Sequence, residues 1–316
     1  MSSKPNVLAV AKLSPLMQPQ MEAAFTVHHR LHETDPAALK KIAPEIRAIA
    51  GGGESKVSAE LIAQLPALEI ISIMGVGYDG VDVAAAKARN IPVTHTPDVL
   101  NDDVADLAIG LMLSAARQLP AADRYVRAGE WKAKGPMPLA RKMSGAKLGI
   151  VGMGRIGQAI AQRALGFNMQ VSYTARNKRD VPYRYVGSAK ELASEVDFLV
   201  VITPGGAATK HLINAEVLAA LGKKGILVNV ARGSVVDEAA LVEALKNGTI
   251  GGAGLDVFAN EPNVPQEILS LPHVVVSPHI GSGTGQTRQA MADLAYGNLK
   301  AHFDGKPLLS PVPECR

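Results

Sequence analysis

The sequence predicts an α/β protein of two doubly wound parallel-sheet units. Two observations carry that prediction. Short apolar runs alternate with helically spaced segments along the whole chain, and one run leads through the turn Gly152-Met153-Gly154-Arg155-Ile156-Gly157 into an amphipathic helix. Strand, helix, strand at this rhythm is the pattern of a parallel sheet with crossover helices.

In the first part, Val7-Leu8-Ala9-Val10, Ile46 to Ala50 and Ile70-Ile71-Ser72-Ile73-Met74 read as strands, with helical spacing over Ala37–Ala43 and Ala59–Leu65. The stretch Met1 to Leu13 holds only a brief apolar run flanked by Lys4 and Lys12, which reads as a first strand rather than a signal peptide. Asn101–Arg117 reads as a long helix with an apolar stripe at Val104, Leu107, Ala108, Leu111 and Met112. Asn101 is a natural N-cap, and Asp102 and Asp103 suit the positive end of the helix.

In the second part, Gln170–Tyr173, Phe198–Ile202, Ile226–Asn229, Gly254–Val257 and Val274–Ser277 read as strands. Helices at Ala189–Ser194, Ala215–Leu221 and Asp237–Lys246 separate several of them, and Thr287–Phe303 reads as the last helix. The three glycines have distinct tasks. Gly152 permits a tight reversal, Gly154 lets bare backbone approach a pyrophosphate, and Gly157 lets helix and strand pack closely. The phosphates would sit on the unpaired N–H groups at the helix start.

Composition narrows the class. At 316 residues, with 47% hydrophobic and 20% charged residues, the chain has the balance of an ordinary soluble two-domain protein. The net charge of +4 is small, and no basic run is dense enough to point to nucleic acid. No segment has the uninterrupted apolar length of a membrane span. Cys315 is the only cysteine, so an internal disulfide is excluded and a reducing, cytoplasmic setting is expected. No His/Cys/carboxylate cluster has ligand spacing, so no metal is expected.

The residues after the second strand of the nucleotide unit bear on the coenzyme. An NAD-selective site places a carboxylate there for the ribose 2′-OH. Here the strand runs into Ala175-Arg176-Asn177-Lys178-Arg179 instead. An Arg offers a planar fork to a 2′-phosphate that a carboxylate would repel. Arg176, helped by Asn177 or Lys178, therefore points to NADP(H) as the preferred coenzyme, with NAD(H) usable.

Three polar residues stand where strands should end. Arg232 follows Leu227–Ala231, Glu261 follows Leu255–Asn260, and His279 follows Val274–Pro278. Ligands of an open parallel sheet bind beyond the carboxyl ends of its strands. The three side chains are chemically complementary for reducing a 2-keto acid. Arg232 can bind the carboxylate and polarise the carbonyl. His279 can give a proton to the carbonyl oxygen, since an imidazole titrates near neutrality, and Glu261 can hydrogen-bond and orient that imidazole. The coenzyme supplies the hydride.

The segments Gly149–Gly157, Asn229–Asp237, Gly254–Pro262 and Ser277–Ser282 resemble signature stretches of the D-isomer-specific 2-hydroxyacid dehydrogenases. Gly75-Val76-Gly77-Tyr78-Asp79 and Thr96–Leu100 extend the resemblance over nearly the whole chain, and it is strongest to the glyoxylate/hydroxypyruvate reductase branch. The resemblance implies a Rossmann-type coenzyme domain at residues 100–287 and a discontinuous, flavodoxin-like substrate domain at 1–99 and 288–316. It implies catalytic roles for Arg232, Glu261 and His279, and a carboxylate grip by the backbone of Val76 and Gly77. Coenzyme contacts are implied for Arg155, Ile156, Thr203, Pro204, Thr209, Val230, Ala231, Gly281 and Ser282, and a nicotinamide carboxamide contact for Asp256. It implies a homodimer joined largely through the segment after Asn101. Thr203–Thr209 carries Gly205 and Gly206 where relatives more usually have Pro-Leu-Thr. Trp131, the only tryptophan, falls where some relatives direct an aromatic into the partner's substrate pocket.

The expectation is thus an NADPH-preferring reductase of glyoxylate and hydroxypyruvate. The alternatives are a reductase of bulkier aryl or branched 2-keto acids and, from another class, a dinucleotide-sensing interaction protein.

Overall fold

The computed structural model describes residues 4–315, so Met1–Ser3, the start of the stretch read as leading into the first strand, and Arg316 lie outside the described residues. The chain divides into two compact units, Met1–Leu100 with Thr284–Arg316, and Asn101–Gly283.

The first unit is a parallel sheet of β1 (Asn6–Ala9), β2 (Thr26–His29), β3 (Ile46–Gly52), β4 (Ile70–Met74) and β5 (Val93–Thr94), in the order β2-β1-β3-β4-β5. This is the flavodoxin-like doubly wound order. Helices cover both faces, so β1, β3 and β4 are almost wholly apolar and buried. The last helix, Gly285–Phe303, begins earlier than its spacing suggests because Thr284 caps it by accepting from the Thr287 N–H at 3.2 Å. Ala292, Ala295 and Leu299 on that helix pack with Val7, Ala48 and Ile70. Ser72 of β4 donates to the Ala295 carbonyl at 3.0 Å, which satisfies a hydroxyl buried at this contact. β2 and β5 have no counterpart among the expected strands. β2 is a half-polar edge strand and β5 has two residues, so neither makes an apolar run.

The second unit holds β6 (Lys147–Val151), β7 (Gln170–Thr174), β8 (Arg184–Tyr185), β9 (Phe198–Val201), β10 (Ile226–Asn229), β11 (Gly252–Leu255) and β12 (Val274–Val276). All pair in parallel, in the order β12-β11-β10-β9-β6-β7-β8. The winding reverses between β6 and β9, the switch point where such sheets bind ligands. The helix Asn101–Arg117 packs on β10 and β11 and starts at Asn101 itself, so Asn101 is its first residue rather than a cap outside it. Arg163, on the helix Arg155–Leu165, pairs with Asp102 at 3.0 Å and Asp106 at 2.5 Å, tying the two helices together.

β11 lies two residues earlier than the apolar run Gly254–Val257 predicts. Its opening residues are small because neighbours crowd them. A Cβ on Gly254 would lie 3.0 Å from Leu111 Cβ, and one on Gly252 would lie 2.7 Å from the His273 carbonyl oxygen. Packing, not hydrophobicity, sets that strand's composition. Among the described residues no helix is long and apolar enough to cross a membrane.

Candidate functional site

The glycine turn after β6 has three different physical environments. Gly152 has φ 109° and its missing Cβ would lie 2.5 Å from the Ile202 carbonyl oxygen. A Cβ on Gly157 would lie 2.1 Å from the Gly152 carbonyl oxygen. Both positions need glycine for the fold itself. Gly154 differs, because it is exposed and a Cβ there would meet nothing within 4 Å. No side chain caps the helix that follows, whereas Ser188, Asn214 and Asp237 cap three other helices of this unit. An open glycine beside uncapped N–H groups fits an approaching pyrophosphate. The buried Thr203 hydroxyl at the end of β9 has no protein partner, which fits a polar ligand at the same switch point. Replacing Gly157 with Ala is expected to cost roughly 1–3 kcal/mol of stability by overpacking. Gly154→Ala is expected to keep the wild-type Tm while raising the coenzyme Kd. Thermal melts and coenzyme titrations of both variants check this.

Beyond β7 lie Arg176, Asn177 and Lys178, all exposed. No carboxylate stands among them. In the loop after β9, the Thr209 hydroxyl donates to the Pro204 carbonyl at 2.7 Å, so Thr209 braces its own loop.

β10, β11 and β12 are adjacent and in register, with Asn229 opposite Leu255 and Leu255 opposite Val276. Arg232, Glu261 and His279 follow these three ends and are partly buried. Asn229 shapes the turn that presents Arg232. Its Oδ1 accepts from the Ala231 N–H at 3.1 Å and its Nδ2 donates to the Arg232 carbonyl at 3.1 Å. Val230 and Ala231 form the buried stem of that turn, and Arg232 Nη1 donates to the Ala231 carbonyl at 2.7 Å. Gly233 then passes so close to Phe258 that a Cβ would lie 1.9 Å from its carbonyl group.

Glu261 Oε1 accepts from the Phe258 N–H at 2.9 Å, and its Oε2 lies 2.7 Å from His279 Nδ1. The carboxylate is thus anchored to backbone at one oxygen and orients the imidazole with the other. His279 has φ 50°, a left-handed conformation unusual for a residue with a Cβ. Asp256 holds that loop in place. Its Oδ1 accepts from Ser277 Oγ at 2.6 Å and the Ile280 N–H at 2.9 Å, and its Oδ2 accepts from the Gly281 N–H at 2.8 Å. Its backbone carbonyl also accepts from the His279 N–H at 2.9 Å. Ser282 continues this loop, partly buried.

Burial pushes the Asp256 carboxyl above its ordinary pKa, opposed by the hydrogen bonds from Ser277 and the Ile280 N–H, the nearby His279 and the Gly281 N–H. A raised folded-state pKa means that ionisation costs stability, and that cost disappears as pH falls. Asn cannot accept from all three donors, so Asp256→Asn is expected to be the less stable protein. The stability gap should widen in favour of wild type as pH falls from neutrality, because only wild type gains from protonation. Denaturant unfolding of both proteins across that range checks it, and a gap that narrows contradicts the assignment.

Asn229 was not singled out from sequence; its signal is an Asn ending an apolar strand. Val76 and Gly77 belong to the first unit, in the loop after β4. There His95 Nδ1 lies 3.0 Å from the Val76 carbonyl oxygen, and the Thr96 N–H donates to the Gly75 carbonyl at 2.8 Å. A Cβ on Gly75 would lie 2.6 Å from Gly53 Cα, so the loops after β3 and β4 touch through glycine.

Comparison with known proteins gives one consistent result. Residues 109–281, more than half of the chain, match the D-isomer specific 2-hydroxyacid dehydrogenase NAD binding domain. A hydroxyphenylpyruvate reductase of Plectranthus scutellarioides is 49% identical over 310 residues, covering 97% of this chain and 98% of that one. A glyoxylate/hydroxypyruvate reductase A of Arabidopsis thaliana is 46% identical over 308 residues, covering 97% and 98%. Among solved structures, an NADPH-dependent glyoxylate/hydroxypyruvate reductase from Sinorhizobium meliloti, in complex with NADP and malonate, superposes with a TM-score of 0.94. It is 46% identical, with 99% of this chain and 98% of that one covered. The glycine turn at the switch point, the three polar side chains beyond β10 to β12 and relatives matched from end to end agree: this chain belongs to the D-isomer specific 2-hydroxyacid dehydrogenase family.

Proposed function

We propose that this protein reduces small 2-keto acids with NADPH, glyoxylate to glycolate and hydroxypyruvate to D-glycerate. The observation that carries the reading is the 2.7 Å contact of His279 Nδ1 with Glu261, which follow adjacent strands with the Arg232 strand next in the sheet. The glyoxylate/hydroxypyruvate reductases among its relatives support the substrate class. The hydroxyphenylpyruvate reductase, at 49% identity, supports a second reading with bulkier aryl substrates on the same machinery.

In this reading the second unit binds coenzyme and the first supplies the Val76–Gly77 backbone for the substrate carboxylate. Gly152, Gly154 and Gly157 with the N–H groups of Arg155 and Ile156 hold the pyrophosphate, while Thr203, Pro204, Val230, Ala231, Gly281 and Ser282 line the rest of the coenzyme site. Arg176, Asn177 and Lys178 receive the 2′-phosphate. When bound, the coenzyme supplies the hydride and nothing else in the proton bookkeeping. The guanidinium of Arg232 grips the substrate carboxylate and draws electron density toward the carbonyl oxygen. Glu261 occupies Nδ1 of His279, so the proton for that oxygen passes from Nε2. Asp256 keeps the imidazole's loop in its left-handed turn and would be the residue near the nicotinamide carboxamide when coenzyme is bound.

A homodimer completes the proposal. The helices Leu119–Arg127 and Glu130–Lys134 bury none of their residues, and Leu119, Val126, Trp131 and Leu139 are exposed on this segment. A second copy is the occupant that would cover them. The lone cysteine fits a cytoplasmic enzyme. A steady-state screen crossing NADPH and NADH with glyoxylate, hydroxypyruvate, pyruvate and hydroxyphenylpyruvate tests the assignment. The highest kcat/KM is expected for the small keto acids with NADPH, and a clear NADH preference overturns the coenzyme assignment.

A further inference from the structure

We propose that Tyr173 is a positioning residue for coenzyme selection, holding the basic loop after β7 in the shape that receives a 2′-phosphomonoester. The inference rests on the NADPH reading and deepens it. Tyr173 lies in β7 and is fully buried, the largest such side chain among the described residues. Its hydroxyl accepts from the Arg179 N–H at 2.7 Å and donates to the Arg179 carbonyl at 3.0 Å. One phenol thus satisfies both backbone groups of one residue, using donor and acceptor capacity together. At the other end of the loop, Tyr185 on β8 donates to the Ala175 carbonyl at 3.4 Å. The two rings pair across the β7–β8 register in an edge-on contact, with centroids 5.5 Å apart.

Between these two anchors lie only Arg176, Asn177 and Lys178, exposed and outside any helix or strand. A loop of long, solvated side chains would ordinarily lose much conformational freedom on gripping a phosphate, and holding its backbone beforehand reduces that loss. The buried phenol does this from beneath, because a rigid ring in the core fixes the residue that ends the basic run. No direct contact with coenzyme is needed. A tyrosine whose hydroxyl only closed a turn would stabilise the protein equally for either coenzyme; one that shapes the basic loop affects only the ligand bearing the 2′-phosphate.

Tyr173→Phe keeps the ring and removes both hydrogen bonds. Isothermal calorimetry with 2′,5′-ADP and with 5′-ADP as probes separates the two roles. The Kd of 2′,5′-ADP is expected to rise on the order of tenfold, equivalent to about 1.4 kcal/mol, while that of 5′-ADP holds. In steady state the change should fall on KM for NADPH rather than on kcat. In an Arg176→Ala background, the same Tyr173→Phe change should add little, since the group it positions is gone. Equal weakening of both probes, no change in either, or full additivity with Arg176→Ala overturns the inference while leaving the coenzyme reading intact. If the wild-type protein does not distinguish 2′,5′-ADP from 5′-ADP, the coenzyme reading fails and this inference with it. Should Tyr173→Phe fold poorly, Tyr185→Phe removes the weaker anchor, and a smaller loss confined to 2′,5′-ADP is expected; equal losses for both probes count against the proposal.

Discussion

Replacing His279 with Asn is expected to lower turnover on glyoxylate by roughly 10²–10⁴-fold, the range set by losing a positioned general acid. Asn is the informative choice because of the backbone. His279 has φ 50°, and Asn tolerates that left-handed conformation better than most residues with a Cβ. It can also keep a hydrogen bond to Glu261, but it has no proton to give to a developing alkoxide. Its Tm should therefore stay near that of wild type while the chemical step is lost. His279→Ala should lose as much rate, with an added small loss of stability from the strained position. Glu261→Gln should lose less than either, since an amide still occupies Nδ1 without the negative charge that favours the imidazolium. Single-turnover measurements with saturating coenzyme check the order. An Asn variant with near-wild-type turnover removes His279 from its assigned role.

The fold was legible where a strand is buried on both faces. The runs Ile70–Met74 and Ile226–Asn229 match β4 and β10, because a central parallel strand is covered on both faces and so reads as a nearly continuous apolar run. It was illegible where packing or brevity sets composition. Gly252 and Gly254 of β11 are small because His273 and Leu111 press on them, and an apolar scan gives glycine no weight. β2, β5 and β8 are short or half-polar, so they leave no run to find. In the site the same division holds. Arg232, Glu261 and His279 stood out as polar residues after apolar runs, which is a one-dimensional signal. The supporting contacts were not visible in one dimension. Asn229 braces a turn through two backbone bonds, Asp256 collects three donors from a loop on the next strand, and Tyr173 reaches Arg179 from inside the core. All but the Ser277–Asp256 bond join a side chain to backbone, and no residue pattern announces such a partner.

The other large effect is expected at Arg232, where the proposed mechanism joins two functions in one guanidinium. Binding the substrate carboxylate lowers KM, and polarising the carbonyl raises kcat, so Arg232→Ala should damage both constants. Losing one preorganised donor to a developing oxyanion costs roughly 10²–10³-fold in kcat. The lost charge-assisted bonds to the carboxylate add to this through KM, so kcat/KM should fall further than kcat alone. Lys at this position should recover only part of the loss, because an ammonium supplies charge without the planar fork that spans a carboxylate and its neighbouring carbonyl. The fold gives a control. The guanidinium is only partly buried, its Nη1 donates to the Ala231 carbonyl at 2.7 Å, and Asn229 braces the turn through its own bonds to the Ala231 N–H and the Arg232 carbonyl. Arg232→Ala should therefore melt within a few degrees of wild type. Asn229→Ala should instead lower Tm and displace the Arg232 turn together. Kinetics on glyoxylate with melting curves for both variants separate the chemical group from the turn that presents it. Retention of most of kcat/KM by Arg232→Ala shows that another cation receives the keto acid.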